Sequence, residues 1–553
     1  MQHRLHTARK LQQPATSLLA LAVGSVLWMG QAGAAEPVSP DQVRSAMKEA
    51  THFMVDEVAT NGGYVWSYLP DFSRRWGEME AYDTMVWVQP PGTATMGHTY
   101  LDAYHATGDE FYYQAATEVA NALIWGQTEA GGWNYMFDFA GPKSQDKWYE
   151  TIGKNGWRLE EFQHNWGNAT FDDLGTSEAS QLLLRLYLEK RDPKYLVPLE
   201  KTIDFVLESQ FASGGWPQRY PENDLWEGDY TSYITLNDEV AAQNIKFLIM
   251  AYQSLGPAVD GERILNAIYR GMNSLLFLQQ GKDQPGWALQ YTHDFEPAAA
   301  RTYEPKSLAT HTTASAVNQL MDFYELTGQS KFLARIPEAL DWLASVKLPE
   351  DKLINGRAYP TFIEIGTKKP LYVHRRGSNV VNGEYFVDHN PENTLGHYSP
   401  TRNIDLEGLR KRYQSLAESD PREVSRNSPL VSSKQINLPE YFVTNEISVS
   451  DLNAGSHLES EDEVSAEAVS EIVSSLNESR YWPTQLVATT YPYAGPGDET
   501  VPEGDYAQTH VGDKYDTSPY VTDNAVEGIS IAKYIENMST LISYLRQVQT
   551  NQQ

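Results

Sequence analysis

The chain contains no cysteine, which excludes disulfides, thiolate nucleophiles, cysteine metal sites and thiol redox switches. Positive charge is scarce: 43 Lys and Arg stand against 73 Asp and Glu, for a formal net charge of −30. Nucleic acid and anionic membrane surfaces are therefore excluded as partners, and a polyanionic ligand has to be met by a local cationic pocket or a divalent metal. Apolar runs long enough to span a bilayer are missing too. The one N-terminal apolar run, Leu18 to Met29, follows Arg4, Arg9 and Lys10 and precedes Ala32-Gly33-Ala34. That order is the layout of a secretory signal peptide over residues 1–34, so the expected location is secreted or periplasmic, with residues 35–553 as the exported domain.

What the chain does have is a repeated aromatic phrase. GGYVWSY begins at Gly62, GGWNYMF at Gly131, GGWPQRY at Gly214, PGWALQY at Pro285 and NGRAYPTF at Asn355, spaced 69, 83, 71 and 70 residues apart. Several follow a helix-like run ending at or near glutamine, as in NALIWGQ, FVLESQ and LLFLQQ. Upstream lie the turn signals TGDEFYY, KRDPKYL and TGQSKFL, and upstream again another apolar helix such as SEASQLLLRLYLEK. Each unit reads as helix, turn, helix, aromatic loop. One helical hairpin cannot bury its own apolar face, so neighbours must stack. Closing the row predicts an all-α fold, an α/α toroid of six or seven pairs with long rim loops. The aromatic phrases then gather at one end, where Trp216 and its counterparts either line a carbohydrate-sized mouth or plug the ends of the hairpins.

Beyond about residue 400 the rhythm weakens. LESEDEVSAEAVSE is acidic and polar, and YPYAGPGDETVPEGDYAQ is rich in glycine and proline, so residues 430–525 read as a loop-rich insertion. ISIAKYIENMSTLISYLRQ, with Ile531, Ile535, Met538, Ile542 and Leu545 at helical spacing, closes the ring.

The phrases TFDDLGTSEASQLLL, SQFASGGWPQRYP, YITLNDEVAAQNI, WALQYTHDFEPAAARTYEPKSL and IEIGTKKPLYVHRRG, in this order over residues 50 to 400, resemble the signature blocks of family 10 pectate lyases. The resemblance implies an α/α toroid that cleaves uronic-acid polysaccharides by β-elimination; related toroids act on alginate or glucuronan. It implies calcium or substrate aspartates at Asp172 and Asp238, and arginines for the substrate carboxylate at Arg301 and Arg375. It also implies a catalytic arginine in a segment resembling ERRxGY, where this chain has PENTLGHY with Asn393 and Thr394.

Elimination from a 4-linked uronate needs a partner for the sugar carboxylate, a base for the proton on carbon 5 and a proton source for the departing oxygen. Arg301, Arg375, Asn168 and Asn237 are suitable partners. Proton carriers inside the matching blocks are Tyr291, His293, Tyr303 and His164, and Arg301 with Tyr303 can address one sugar from the same side of an extended segment. Asp172 and Asp238, with Asp173 and Glu239, offer hard oxygens suited to Ca2+, although paired acids before helices are also ordinary N-terminal caps. The expected partner is an anionic polysaccharide and the expected state a monomer. Two other classes use the same features: a glycoside hydrolase on this toroid with paired carboxylates, and a non-catalytic polysaccharide-binding protein.

Overall fold

The turns that separate paired helices carry their own stop and start signals. In the computed structural model, which describes residues 38–222, 229–395, 398–432, 437–445, 447–453, 463–500 and 512–551, α1 (Pro40–Phe53) opens with a reciprocal cap between Ser39 and Gln42. α2 (Thr93–Thr107) stops at Gly108, which is left-handed, and Asp109 starts α3 (Glu110–Gly126) by accepting from Phe111 N at 3.0 Å. A short α4 (Pro142–Trp148) follows, then α5 (Gly175–Lys190) and α6 (Leu196–Glu208), joined through the Asp192 cap on Lys194 N. α7 (Val240–Leu255) pairs with α8 (Gly261–Leu278), and α9 (Thr310–Thr327) turns at left-handed Gly328 into α10 (Ile336–Val346). α11 (Leu406–Glu418), α12 (Pro421–Val424), α13 (Ala466–Ser475) and α14 (Ile531–Thr550) complete the described helices. The signal-peptide reading of residues 1–34 lies outside the described residues, as do parts of the 430–525 insertion.

α2, α5 and α7 stand side by side, with α14 packed on α2, and α3, α6 and α8 backing them. The inner helices bury residues on more than one face: α7 buries Val240, Ile245, Phe247, Leu248 and Ile249. Residues Ser450–Leu452 touch both α7 and α9. The segment before them is anchored at Asp102 on α2, whose carboxylate accepts from Phe442 N at 3.1 Å and Val443 N at 2.8 Å and pairs with Arg185 of α5 at 2.7 Å. The architecture is an α/α toroid with long rim loops.

The repeated phrase has a common local structure. Trp133, Trp216 and Trp287 are fully buried, and each indole donates to a carbonyl in the helix before it, Leu123 O at 2.7 Å, Val206 O at 2.8 Å and Leu275 O at 2.9 Å. The glutamine ahead of each phrase folds over it: Gln127, Gln210 and Gln279 donate to Gly131 O, Gly214 O and Pro285 O. Gly214 is left-handed with φ 98°, and a Cβ there would collide with the backbone of Arg270. The rim-lining role expected for Trp216 is thereby corrected: a buried indole N–H needs an acceptor, and the open end of the preceding helix supplies one.

Two- and three-residue strand pairs link successive loops at one end: Met85–Trp87 with Met136–Asp138, Ala169–Thr170 with Arg219–Tyr220, Ile234–Thr235 with Gln290–Tyr291, and Leu308–Ala309 with Phe362–Ile363. Ser67–Tyr68 pairs with the end of strand Tyr520–Ser530, bringing the two halves of the chain together. Two longer hairpins, Pro370–Arg376 with Glu384–Asp388 and Thr484–Thr489 with Tyr520–Ser530, were not anticipated from the helical rhythm.

Candidate active site

The loop end of the toroid carries two equivalent turns, Thr170-Phe171-Asp172-Asp173 before α5 and Thr235-Leu236-Asn237-Asp238 before α7. Both place non-glycine residues in the left-handed region, Asp173 (φ 50°) with Leu174 (φ 63°) and Asp238 (φ 50°) with Glu239 (φ 57°). Such conformations cost energy and persist where the surroundings over-determine them, which is common at functional sites. The two turns touch, so that carboxylate oxygens of Asp172, Asp173 and Asp238 all lie within 4.8 Å of one another.

Arg301 closes this cluster. Its guanidinium pairs with Asp172, with Glu304 at 3.3 Å and with Glu161 at 3.6 Å. The Arg301 backbone N–H donates to Glu304 Oε2 at 3.0 Å, which makes RTYE a self-braced turn. Tyr398 donates to Glu304 at 2.8 Å and accepts from Arg301 at 3.3 Å, while Asn237 donates to Glu304 at 3.4 Å. On Asp172, Oδ2 also accepts from the Tyr135 hydroxyl and from Gln218 at 2.9 Å, and Oδ1 is buried with no N–H or hydroxyl donor. Gln89 joins the outer edge, donating to Asp173 at 2.8 Å and to Glu78 at 2.7 Å.

Charge is unevenly distributed here. Burial by itself raises the Asp172 carboxyl, but Arg301 and the hydrogen bonds outweigh it and hold Asp172 below the ordinary carboxylate range. Asp238 is pushed well above that range, by burial first and then by the charges of Asp173 and Asp172. Glu78 is raised in the same way, by burial and then by Asp173 and Glu161. Glu161 and Glu304 are raised by burial, with Arg301 opposing. One guanidinium facing this many acids leaves a negative site. The residues fit a hard divalent cation: three carboxylates converge, and Asp172 Oδ1 is buried with no N–H or hydroxyl donor, the Asp238 carboxyl being the group that hydrogen-bonds Asp172 across the cluster.

Of the residues expected at the site, Arg301, Tyr303, Asp172, Asp238 and Asn237 come together. Tyr303 is fully buried, donates to Glu161 at 2.8 Å and holds its proton far above the usual phenol range, through burial and then Glu161. Asn168 stands beside the cluster, donating to Pro221 O at 2.8 Å and accepting from Arg219 at 3.4 Å. His164 is exposed on the loop leading to the site, edge-on to Trp166 with centroids 6.2 Å apart, and partial burial lowers its pKa against the opposing charge of Glu160. That loop is tied to the arginine turn because Thr302 N and Oγ1 both donate to Glu160 at 2.7 Å.

Arg375 is buried over Trp157, 5.2 Å from the ring centroid, beside Tyr385, which itself packs on Tyr303 with centroids 5.9 Å apart, and burial followed by the charge of Arg158 brings its pKa down to about 10. Tyr291 is fully buried; its hydroxyl accepts from Ala288 N at 2.6 Å, and burial raises its pKa. His293 is exposed against the Phe211 ring, and Trp216 is a core plug. Asn393 and Thr394 lie in the loop after the Glu384–Asp388 strand, where Asn393 O meets the His374 ring at 3.1 Å. Sequence reasoning missed Glu161, Glu304, Tyr135, Tyr398, Glu78 and Gln89. Glu304 lies three residues after Arg301 in ARTYEP, Tyr135 within GGWNYMF and Tyr398 at the end of PENTLGHY, whereas Glu161, Glu78 and Gln89 lie outside those segments.

Residues 140–390 match the profile of the family described as Pectic acid lyase. Among solved structures, a family 10 polysaccharide lyase from Cellvibrio cellulosa is similar at 19% identity, covering 53% of this chain and 86% of that one with a TM-score of 0.35. An α-1,6-mannanase of Salegentibacter sp. is similar at 11% identity, covering 91% of this chain and 98% of that one, also with a TM-score of 0.35. No curated protein matches the sequence. Among the described residues no helix is long and apolar enough to cross a membrane. The matched span contains Glu161, Asp172, Asp238, Arg301 and Glu304, and the chain is a polysaccharide lyase, similar over residues 140–390 to the pectic acid lyases.

Proposed function

We propose that the enzyme cleaves a 4-linked uronic-acid polysaccharide, of the pectate, alginate or glucuronan type, by β-elimination. The observation that carries this reading is the Asp172, Asp173 and Asp238 trio braced by Arg301 inside the matched residues. Asp172, Asp173 and Asp238 would hold a calcium ion, which when bound supplies positive charge for an anionic substrate. Arg301 keeps Asp172 ionised and fixes the floor of the site. Tyr303 and Tyr398 keep their protons and lock Glu161 and Glu304 in place.

His164 is the proton carrier in this proposal. Its lowered pKa makes the imidazole neutral at pH 7, able to take the proton from carbon 5. The electron pair of that C–H bond becomes the C4–C5 double bond as the C4–O bond breaks, and the departing oxygen receives a proton from the imidazolium. Export to the periplasm or medium and a monomeric state belong to the same reading.

The carboxylate spacing supports a cation site over a glycosidase pair. A glycosidase needs two carboxyl groups flanking the sugar, whereas here three converge, each offering an oxygen within 4.8 Å of the others, as a hard cation requires. The test is incubation with polygalacturonate, alginate and glucuronan, with and without a chelator. A lyase makes an ultraviolet-absorbing unsaturated uronate end, a hydrolase makes reducing ends without it, and a binding protein makes neither.

A further inference from the structure

We infer that Arg219 is the residue that reads the substrate's carboxylate, an inference that rests on the uronate reading above. Arg301 is poorly placed for that task, since three carboxylates of the protein already neutralise it. Arg219, on the strand pair that leads into the Asp172 turn, is in the opposite condition. Its side chain is buried at 1% exposure, and among the described residues no Asp or Glu forms an ion pair with it. Its polar contacts are all neutral and all through Nη1: Asn134 Oδ1 at 3.1 Å, Asn168 Oδ1 at 3.4 Å and Asn168 O at 3.5 Å. Nη2 is buried and donates to nothing.

A buried guanidinium without a counter-charge and with an idle nitrogen is unfavourable in itself, and the geometry of that fork matches a carboxylate. Aromatic rings hold it in place, Tyr135 at 5.0 Å and Trp166 at 5.5 Å from the guanidinium carbon. Tyr135 also fixes its distance from the acidic cluster, because the ring that lies under Arg219 puts its hydroxyl on Asp172. Gln218, the preceding residue, donates to the same carboxylate. One phenol ring therefore separates an unneutralised cation from a cation-binding acid cluster, the charge pattern that an acidic sugar beside a metal requires. Asn134 and Asn168 contribute as amide oxygens that orient Nη1 without cancelling its charge, and Asn134 is itself held by the Tyr149 hydroxyl at 3.0 Å.

The test is equilibrium binding of trigalacturonate and of its methyl ester to the full-length enzyme, alongside turnover of free and methyl-esterified polymer. Wild type should prefer the free acid by roughly 30-fold or more, as expected for a buried charge pair. Arg219→Gln should bring the preference within about 2-fold, chiefly through KM, and Arg219→Lys should keep part of it. An Arg219→Gln enzyme that folds and still prefers the acid overturns the assignment. Equal binding of acid and ester by wild type overturns it without any variant. Acid-selective binding that depends on Arg219, with no unsaturated product from any polymer, refutes the lyase chemistry and leaves the carboxylate subsite standing.

Discussion

Arg301 lays its Nη2 on the Asp172 carboxylate across 129 residues of chain, and both side chains are buried, at 4% and 0% exposure. The pair joins the arginine turn to the turn that leads into the inner helix α5, so one contact ties the site to the toroid. Truncating Arg301 to alanine leaves Asp172, Glu161 and Glu304 buried without their cation. A cost of about 3–5 kcal/mol is expected, read as a lowered denaturation midpoint. Turnover should fall by about 10³-fold or more, because the acid cluster loses the charge that holds its geometry. Wild-type turnover in a folded Arg301→Ala enzyme contradicts the assignment.

How much of this was legible beforehand follows from what local sequence can encode. Gly108 and Gly328 sit at left-handed helix ends, which almost any other residue resists, so the hairpin turns were readable and with them the toroid. The tryptophan phrases were readable as repeats, but not the direction in which Trp216 points, because indole burial depends on a carbonyl ten residues upstream. Asp172, Asp238 and Arg301 were marked by their quoted blocks. Glu161 was not, since its partner Tyr303 lies 142 residues away and such a pairing leaves no periodic trace. Arg375, marked by its block, stands with Trp157 and Tyr385, the latter packed on Tyr303, under a β-hairpin that a helical reading does not anticipate.

Asp238 makes cation binding proton-linked. Its pKa is pushed well above the ordinary aspartate range, by burial and then by Asp173 and Asp172, so a cation has to compete with a proton at this carboxylate. Calcium titrations in two buffers of different ionisation enthalpy should show proton release at pH 7, an affinity that rises with pH, and loss of that release in Asp238→Asn. The stability sign follows from the same shift. The folded state binds this proton more tightly than the unfolded chain does, so the contribution is fully present below the ordinary aspartate range and is lost as pH rises through the folded value. Metal-free melting temperature should therefore carry a downward slope with pH from this group, which calcium flattens. Calcium binding without any proton release would show Asp238 to be ionised already.

His164 should govern the acid limb of the pH–rate profile. With its pKa lowered by partial burial, the imidazole is neutral and competent above the ordinary histidine range and is lost as a base only in more acidic solution. His164→Ala should lose about 10²–10⁴-fold in turnover with an unchanged circular dichroism spectrum and no remaining acid limb. An intact acid limb in that variant would move the proton transfer to another group.

Trp216 separates a core role from a rim role in a single comparison. The side chain is fully buried, donates to Val206 O at 2.8 Å and lies against the α8 backbone at Gly271, where a Cβ would strike its ring. Trp216→Ala should cost about 3–5 kcal/mol of stability, measured by chemical denaturation. Trp216→Phe fills most of the volume and removes the indole donor from the Val206 carbonyl, which keeps Ser209 Oγ at 3.3 Å, so it should cost less. Neither should change KM for the polymer in the folded fraction, because the indole faces the interior between α6 and α8. A rise in KM for Trp216→Phe at unchanged stability would instead put this ring on the sugar-binding surface.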